Sequence, residues 1–220
     1  MRVFDLSVPI RDGMDWYREE GTPPVRLDSI GSLDRDGWVS HTLSMQVLNG
    51  TTYLETAGHL FEDGATLDDV PPEDLVRRAF VVGLPPGERE LPSPEATLGA
   101  FRSGEDALLL HCGWDSHIES DDFYHASPYF SAPLQEWILD HNPGILGADV
   151  PSFDRPDDAG MPFLHEYFRR GGMILSPLVS VGAIPAPVVT LCVAPLRLVG
   201  ANAAPCRVLA WIPGSEEGAL

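Results

Sequence analysis

Ala107-Leu108-Leu109-Leu110-His111-Cys112 is a continuous apolar run that stops at the turn Gly113-Trp114-Asp115. A strand that is apolar at successive positions, and not only at alternate ones, is buried on both faces. Working outward, the same signal recurs at Gly144 to Val150, which ends in an acid, Asp149, just before the turn at Pro151. Between the two lies Ser131-Ala132-Pro133-Leu134-Gln135-Glu136-Trp137-Ile138-Leu139-Asp140, which reads as a helix with Ser131 as its N-cap. Phe163 to Gly172 reads as a second helix, with arginines in its last turn and glycine at its stop. Met173 to Leu175, Val188 to Val193 and Val208 to Ile212 add strands on the C-terminal side. On the N-terminal side, strands are predicted at Val3 to Ile10, Trp38 to Leu48 and Ala79 to Leu84, with a short helical turn at Glu73 to Arg77. Residues 11–37 are rich in Gly, Pro and charge and read as a long loop carrying Trp16 and Tyr17, and 85–96 as a surface connection. Strands interleaved with a few helices predict an α/β fold, a single domain over 1–220 with a mixed β-sheet and a frayed tail at 215–220.

Composition excludes several classes of function. Of 220 residues, 33 are acidic and 14 basic, a formal net charge of -19, and every basic residue is arginine. The only adjacent arginine pairs are Arg77-Arg78 and Arg169-Arg170, so no surface suits nucleic acid or an anionic membrane. The absence of lysine removes Schiff-base chemistry and a Walker-type phosphate loop. No apolar run approaches the ~20 residues of a membrane span, and the N-terminus lacks a signal-peptide layout, so a cytoplasmic location is expected. Cys112, Cys192 and Cys206 have no paired spacing, which fits reduced thiols. Cys112 is a minor candidate nucleophile at a strand end.

The chemistry concentrates in Asn49-Gly50-Thr51-Thr52-Tyr53-Leu54-Glu55-Thr56-Ala57-Gly58-His59. Its β-branched and aromatic residues followed by Ala57-Gly58 read as a strand entering a tight turn. Period-two alternation puts Tyr53 and Glu55 on one face, and the bend can return His59 to it. A phenol, a carboxylate and an imidazole converging is a set suited to proton transfer. An ordinary surface strand with one acid and one structural histidine accounts for the same residues equally well.

The order of further motifs resembles the cyclase-like hydrolases, the family that includes bacterial kynurenine formamidase and isatin hydrolase. Phe4-Asp5-Leu6-Ser7-Val8-Pro9-Ile10 is similar to that family's opening strand, and Gly113-Trp114-Asp115 to its Gly-Trp turn. Ser127-Pro128-Tyr129-Phe130-Ser131, the segment Gly147 to Asp154, His165, and Gly171-Gly172-Met173-Ile174-Leu175 continue the series over nearly the whole chain. The resemblance implies a swivelling β/β/α fold and a homodimer or homotetramer. It also implies a metal motif, His-x-Gly-Thr-His-x-Asp-x-Pro-x-His, which here reads Asn49-x-Thr51-Thr52-Tyr53-x-Glu55-x-Ala57-x-His59. Two ligand histidines are thus Asn49 and Tyr53, and the aspartate is Glu55. His59 keeps the place of the family's acid/base, and His165 matches a ligand of the second metal. The glutamate expected about a dozen residues after His165 falls at Ser176 or Pro177.

A hydrolytic metal site needs several His or carboxylate ligands with an open position. With most of them replaced, the expected enzyme is a metal-independent acid/base catalyst on a small cyclic or carbonyl-bearing metabolite. Ring closure, elimination, and lactone or amide hydrolysis all suit it, and analogy suggests bacterial secondary metabolism. Glu55 is expected as base, His59 as acid or shuttle, and Tyr53 as oxyanion-type donor. His165, Asn49, Trp16, Trp38 and Phe61 are assigned to substrate binding, with no cofactor. The alternatives are one divalent metal held by Glu55, His59 and His165 in a formamidase-type hydrolase, and a non-catalytic binding relative.

Overall fold

The computed structural model describes residues 2–16, 21–95, 98–158 and 160–214; Tyr17 and the tail 215–220 lie outside them. Within them the strands are β1 Val3–Asp5, β2 Arg26–Ile30, β3 Ser40–Ser44, β4 Tyr53–Glu55, β5 Val76–Gly83 and β6 Glu90–Leu91. They continue as β7 Ala107–His111, β8 Tyr129–Phe130, β9 Ile145–Ala148, β10 Met173–Ser176, β11 Val188–Pro195 and β12 Ala203–Trp211. The helices are α1 Leu33–Asp36, α2 Ala132–His141 and α3 Pro162–Arg169. The mixed α/β architecture agrees with the sequence reading. No helix among the described residues is long and apolar enough to cross a membrane.

The main sheet runs β1-β12-β11-β5-β7-β9-β10-β4, and β4 also pairs with β12. Seven strands therefore close on themselves as a barrel. The nine-residue β12 makes closure possible: along one edge it takes β4 on Ala203 to Pro205 and β1 on Leu209 to Trp211. β5, β7, β9 and β10 are mutually parallel, and α2 and α3 lie in the connections that follow β7 and β9.

The continuous apolar run of β7 is explained by this closure. Leu109 faces the barrel interior with Leu54, Leu175, Leu191 and Val208. Leu108 and Leu110 face outward, under Leu134 and Ile138 of α2 and Phe163, Leu164, Tyr167 and Phe168 of α3. The Ser131 hydroxyl accepts from Leu134 N–H, as an N-cap should.

Three predicted boundaries are corrected. The strand from Val3 is only three residues long, and the one from Trp38 is confined to Ser40–Ser44. The segment 11–37 is not a plain loop: it holds β2 and α1, and β2 pairs with β3 in a hairpin. Its Gly, Pro and charged residues hide a strand that depends on a distant partner: all five of its residues pair with β3, Leu27 facing Leu43.

Candidate active site

β4 lies between β10 and β12, with Leu54 directed into the barrel and Tyr53 and Glu55 on the outer face. Glu55 pairs in register with Ile174 and Ala203, both apolar. The chain then leaves the strand under tight control. Thr56 N–H donates to Asn202 O, and its hydroxyl reaches Ala65 O at 2.7 Å and Asn202 O at 3.0 Å. One turn of 3-10 helix, Ala57–His59, follows, closed by His59 N–H to Thr56 O. Gly64 lies against this turn so closely that a Cβ there would sit 2.5 Å from Ala57 O. The turn swings the imidazole back, and His59 Nδ1 lies 3.1 Å from Glu55 Oε1.

Glu55 is 4% exposed, and His59 is half-buried. Although His59 Nδ1 is close, Oε1 has no hydrogen-bond partner. A charged oxygen in that position would carry the full cost of burial without a donor. Burial accordingly pushes the Glu55 carboxyl up to about 8 and the His59 imidazole below its ordinary value. Near neutral pH the pair is therefore a carboxylic acid facing a neutral imidazole. This reverses the expectation that Glu55 is a base, because at that pH its carboxyl carries the proton.

The other motif positions are engaged elsewhere. Asn49 is fully buried; its carbonyl oxygen accepts from Trp16 N–H at 2.8 Å and its amide donates to Asp15 Oδ1 at 3.0 Å. Trp16 in turn packs on Phe123, ring centroids 5.1 Å apart, and its indole N–H reaches Ile118 O. Asn49 and Trp16, assigned to substrate binding from the sequence, instead fasten the segment before β2 to the turn that leads into β4. Ser176, at the place expected for a glutamate, pairs in register with Tyr53 and donates its hydroxyl to Val150 O at 2.7 Å. Tyr53 is buried on the same face as Glu55. Phe61 meets His165 of α3 edge-on at 5.2 Å, with the Arg169 guanidinium over its ring at 5.3 Å, so these three border the turn of His59. Trp38 is half exposed on the β2–β3 hairpin, against Gly31.

A two-metal centre does not fit these residues. An amide and a hydroxyl already committed to protein partners, a buried phenol and one carboxylate make a poor ligand set. Among the described residues, no three His, Cys, Asp or Glu side chains are grouped to hold an ion. The set Glu55, His59 and His165 is thus not gathered as ligands.

Sequence reading missed two buried aspartates. Asp149 lies in the Gly147 to Asp154 segment, at the end of the run that closes β9. Its carboxylate reaches across to β7 and accepts from Cys112, Gly113 and Trp114 N–H at 3.0, 2.7 and 3.1 Å. Burial, then the Asp149 charge, push the Cys112 thiol up to about 12, which removes it as a nucleophile. Asp154 accepts from Phe163 and Leu164 N–H at 2.8 and 3.2 Å, capping α3 and so fixing where His165 stands. An acid directly after a strand was the only signal that Asp149 left, and Asp154 left none beyond its place in a loop.

Residues 4–155 match the family described as "Putative cyclase". The kynurenine formamidase of Bacillus cereus is 25% identical over 211 residues, covering 94% of this chain and 95% of that protein. The kynurenine formamidase of Salinibacter ruber is 26% identical over 162 residues, 72% of this chain and 73% of that one. Among solved structures, isatin hydrolase A from Ralstonia solanacearum superposes with a TM-score of 0.82 at 19% identity, over 96% of this chain and 92% of that one. A potential metal-dependent hydrolase with cyclase activity superposes with a TM-score of 0.77 at 23% identity, over 97% and 98%.

Proposed function

The chain belongs to the cyclase family, and from that premise we propose that it is a hydrolase- or cyclase-type enzyme whose chemistry runs on proton transfer through Glu55 and His59. The observation that carries this reading is the buried Glu55 oxygen that receives no hydrogen bond, 3.1 Å from His59 Nδ1. With the carboxyl protonated and facing Nδ1, the neutral imidazole holds its own proton on Nε2. His59 Nε2–H is then the donor for a carbonyl oxygen or a leaving group. As that proton departs, the Glu55 proton moves to Nδ1, so no buried imidazolium–carboxylate pair is formed in full. In hydrolysis, water adds to the carbonyl carbon, the leaving group takes the Nε2 proton, and a proton from the added water returns to the pair. In ring closure or elimination the same donor serves the departing hydroxyl.

The substrate class that suits this pair is a small amide, lactone or other activated carbonyl compound, the class to which the relatives' formamide and isatin substrates belong. A step in bacterial secondary metabolism fits a family member with such an altered motif. Metal independence follows from the donor set: protein treated with a strong chelator and dialysed is expected to keep its full kcat. Loss of activity restored by zinc or manganese would instead establish the second reading, a metal-dependent hydrolase like the similar structure described as one.

The proton inventory makes a further prediction. Because the working state needs the Glu55 proton, kcat/KM is expected to stay level near neutral pH and to fall about tenfold per unit above about 8. A rate that climbs through pH 8 would assign the carboxylate, and not the acid, to the working form. His59→Ala, which removes the donor that meets substrate, is expected to lower kcat/KM by roughly 10²–10⁴.

A further inference from the structure

Thr56 is the first residue after β4, and it is buried. Its backbone is still extended, φ -119° and ψ 171°, so strand alternation runs on through it. Its side chain therefore leaves on the side of Leu54, away from Glu55. The hydroxyl has one proton and two acceptors, Ala65 O at 2.7 Å and Asn202 O at 3.0 Å, the second in the connection from β11 to β12. Each carbonyl also takes a backbone N–H, Asn202 O from Thr56 at 2.8 Å and Ala65 O from Gly58 at 3.0 Å. The two segments are themselves joined, Leu67 N–H to Ala201 O at 2.9 Å and Gly200 N–H to Asp68 Oδ1 at 2.8 Å. The residue from which the His59 turn springs is thus bracketed between two segments outside β4.

We infer that Thr56 is a positioning residue: by bridging Ala65 O and Asn202 O, its hydroxyl sets the angle at which the turn brings His59 Nδ1 to Glu55. The inference rests on the proton-transfer reading of that pair. Thr56 acts from a pivot. His59 N–H returns to Thr56 O at 3.0 Å, so the turn moves with Thr56 as one piece. His59 lies three residues on, and at about 2 Å rise per residue in a 3-10 turn a swing of about 10° at Thr56 carries it roughly 1 Å. Its Nδ1 stands 3.1 Å from Glu55 Oε1, so a displacement of about 1 Å outward takes the pair beyond hydrogen-bond reach. Gly64 stops the turn from the other side, where a Cβ would sit 2.4 Å from the Ala57 carbonyl carbon.

Thr56→Val is the test, because it removes only the hydroxyl. Valine keeps the β-branched shape, and both carbonyls keep their backbone donors, so the variant should fold. In isotope-labelled full-length protein near neutral pH, nitrogen NMR reads the His59 ring, its signals assigned by their loss in His59→Gln. The two ring nitrogens of the parent are expected at well-separated shifts, the mark of one fixed tautomer. In Thr56→Val the two shifts should draw together, as in a ring that exchanges its proton between nitrogens. Thr56→Ser, which restores the hydroxyl, should return them to the parent's values. With formanilide as probe substrate, kcat of Thr56→Val should fall about 10²-fold with KM unchanged, and Thr56→Ser should recover it. A valine variant with the parent's ring shifts, or a serine variant no better than valine, would overturn the inference. Converged shifts in the parent itself would overturn it together with the proton-transfer reading, since there would be no fixed pair to position. Ring signals that move while kcat holds would support the grip of Thr56 on the ring and count against the proton-transfer reading alone.

Discussion

At pH 8.5, Glu55→Gln is expected to melt about 10 °C above the unaltered protein while its kcat/KM falls by roughly 10²–10⁴. Both effects come from the same proton. The Glu55 carboxyl titrates at about 8 in the fold and near its ordinary 4.5 in the unfolded chain. Its folded value is raised, so between those two points the native state holds a proton that the unfolded state has released. Stability from this group is full below pH 4.5, falls as pH rises through the interval, and is lost above about 8. The cumulative loss is on the order of 5 kcal/mol, because each pH unit crossed in that interval costs about 1.4 kcal/mol. Glutamine has the shape of the protonated acid and never ionises, so the variant avoids that cost. Its amide keeps the shape of the acid beside His59, but it has no proton to give up when His59 Nε2–H is spent. Melting curves at pH 5, 7 and 9 should show the gap between variant and parent opening with pH. A gap that is constant across pH would mean that Glu55 does not titrate as a buried acid. Unaltered turnover would mean that the proton is not used.

Much of the scaffold was legible in the sequence, and the reasons are physical. Runs such as Ala107 to Leu110 and Ile145 to Ala148 are apolar at every position because the closed sheet buries both their faces, and that pattern survives without knowledge of their neighbours. Ser131 announces α2 because a cap acts within three residues. The Tyr53, Glu55 and His59 trio was also within reach, since strand alternation and one turn place all three. What could not be read depends on distant partners. β2 needs β3, and Asn49 needs Trp16, so an amide at a presumed binding position turned out to be a tether. The direction of proton transfer was hidden for the same reason: only the apolar neighbours Ile174 and Ala203, from β10 and β12, reveal that Glu55 is an acid near neutral pH.

Asp149→Ala is expected to remove about 3 kcal/mol of stability and lower the melting temperature by about 6–12 °C. The carboxylate is 2% exposed and accepts three successive backbone N–H groups, from Cys112, Gly113 and Trp114. Deleting it strands donors that have no other partner in the turn, and each buried orphan costs about 1–3 kcal/mol, less where water can enter beside Gly113. The loss also separates two segments that look unrelated in the sequence, the turn after β7 and the one after β9. Cys112 reports on it independently: without the neighbouring charge its thiol titrates lower, and alkylation of Cys112 should speed up. Oδ2 alone takes bonds from all three N–H groups, so one oxygen is enough to hold the turn. Asp149→Asn, which can place its carbonyl oxygen there, should therefore recover most of the stability that alanine loses. If asparagine is as damaging as alanine, the charge and not the hydrogen bonds secures the turn. Because Glu55 and His59 are held by β10, β12 and the Thr56 contacts, kcat below the melting transition should be the same in all three proteins.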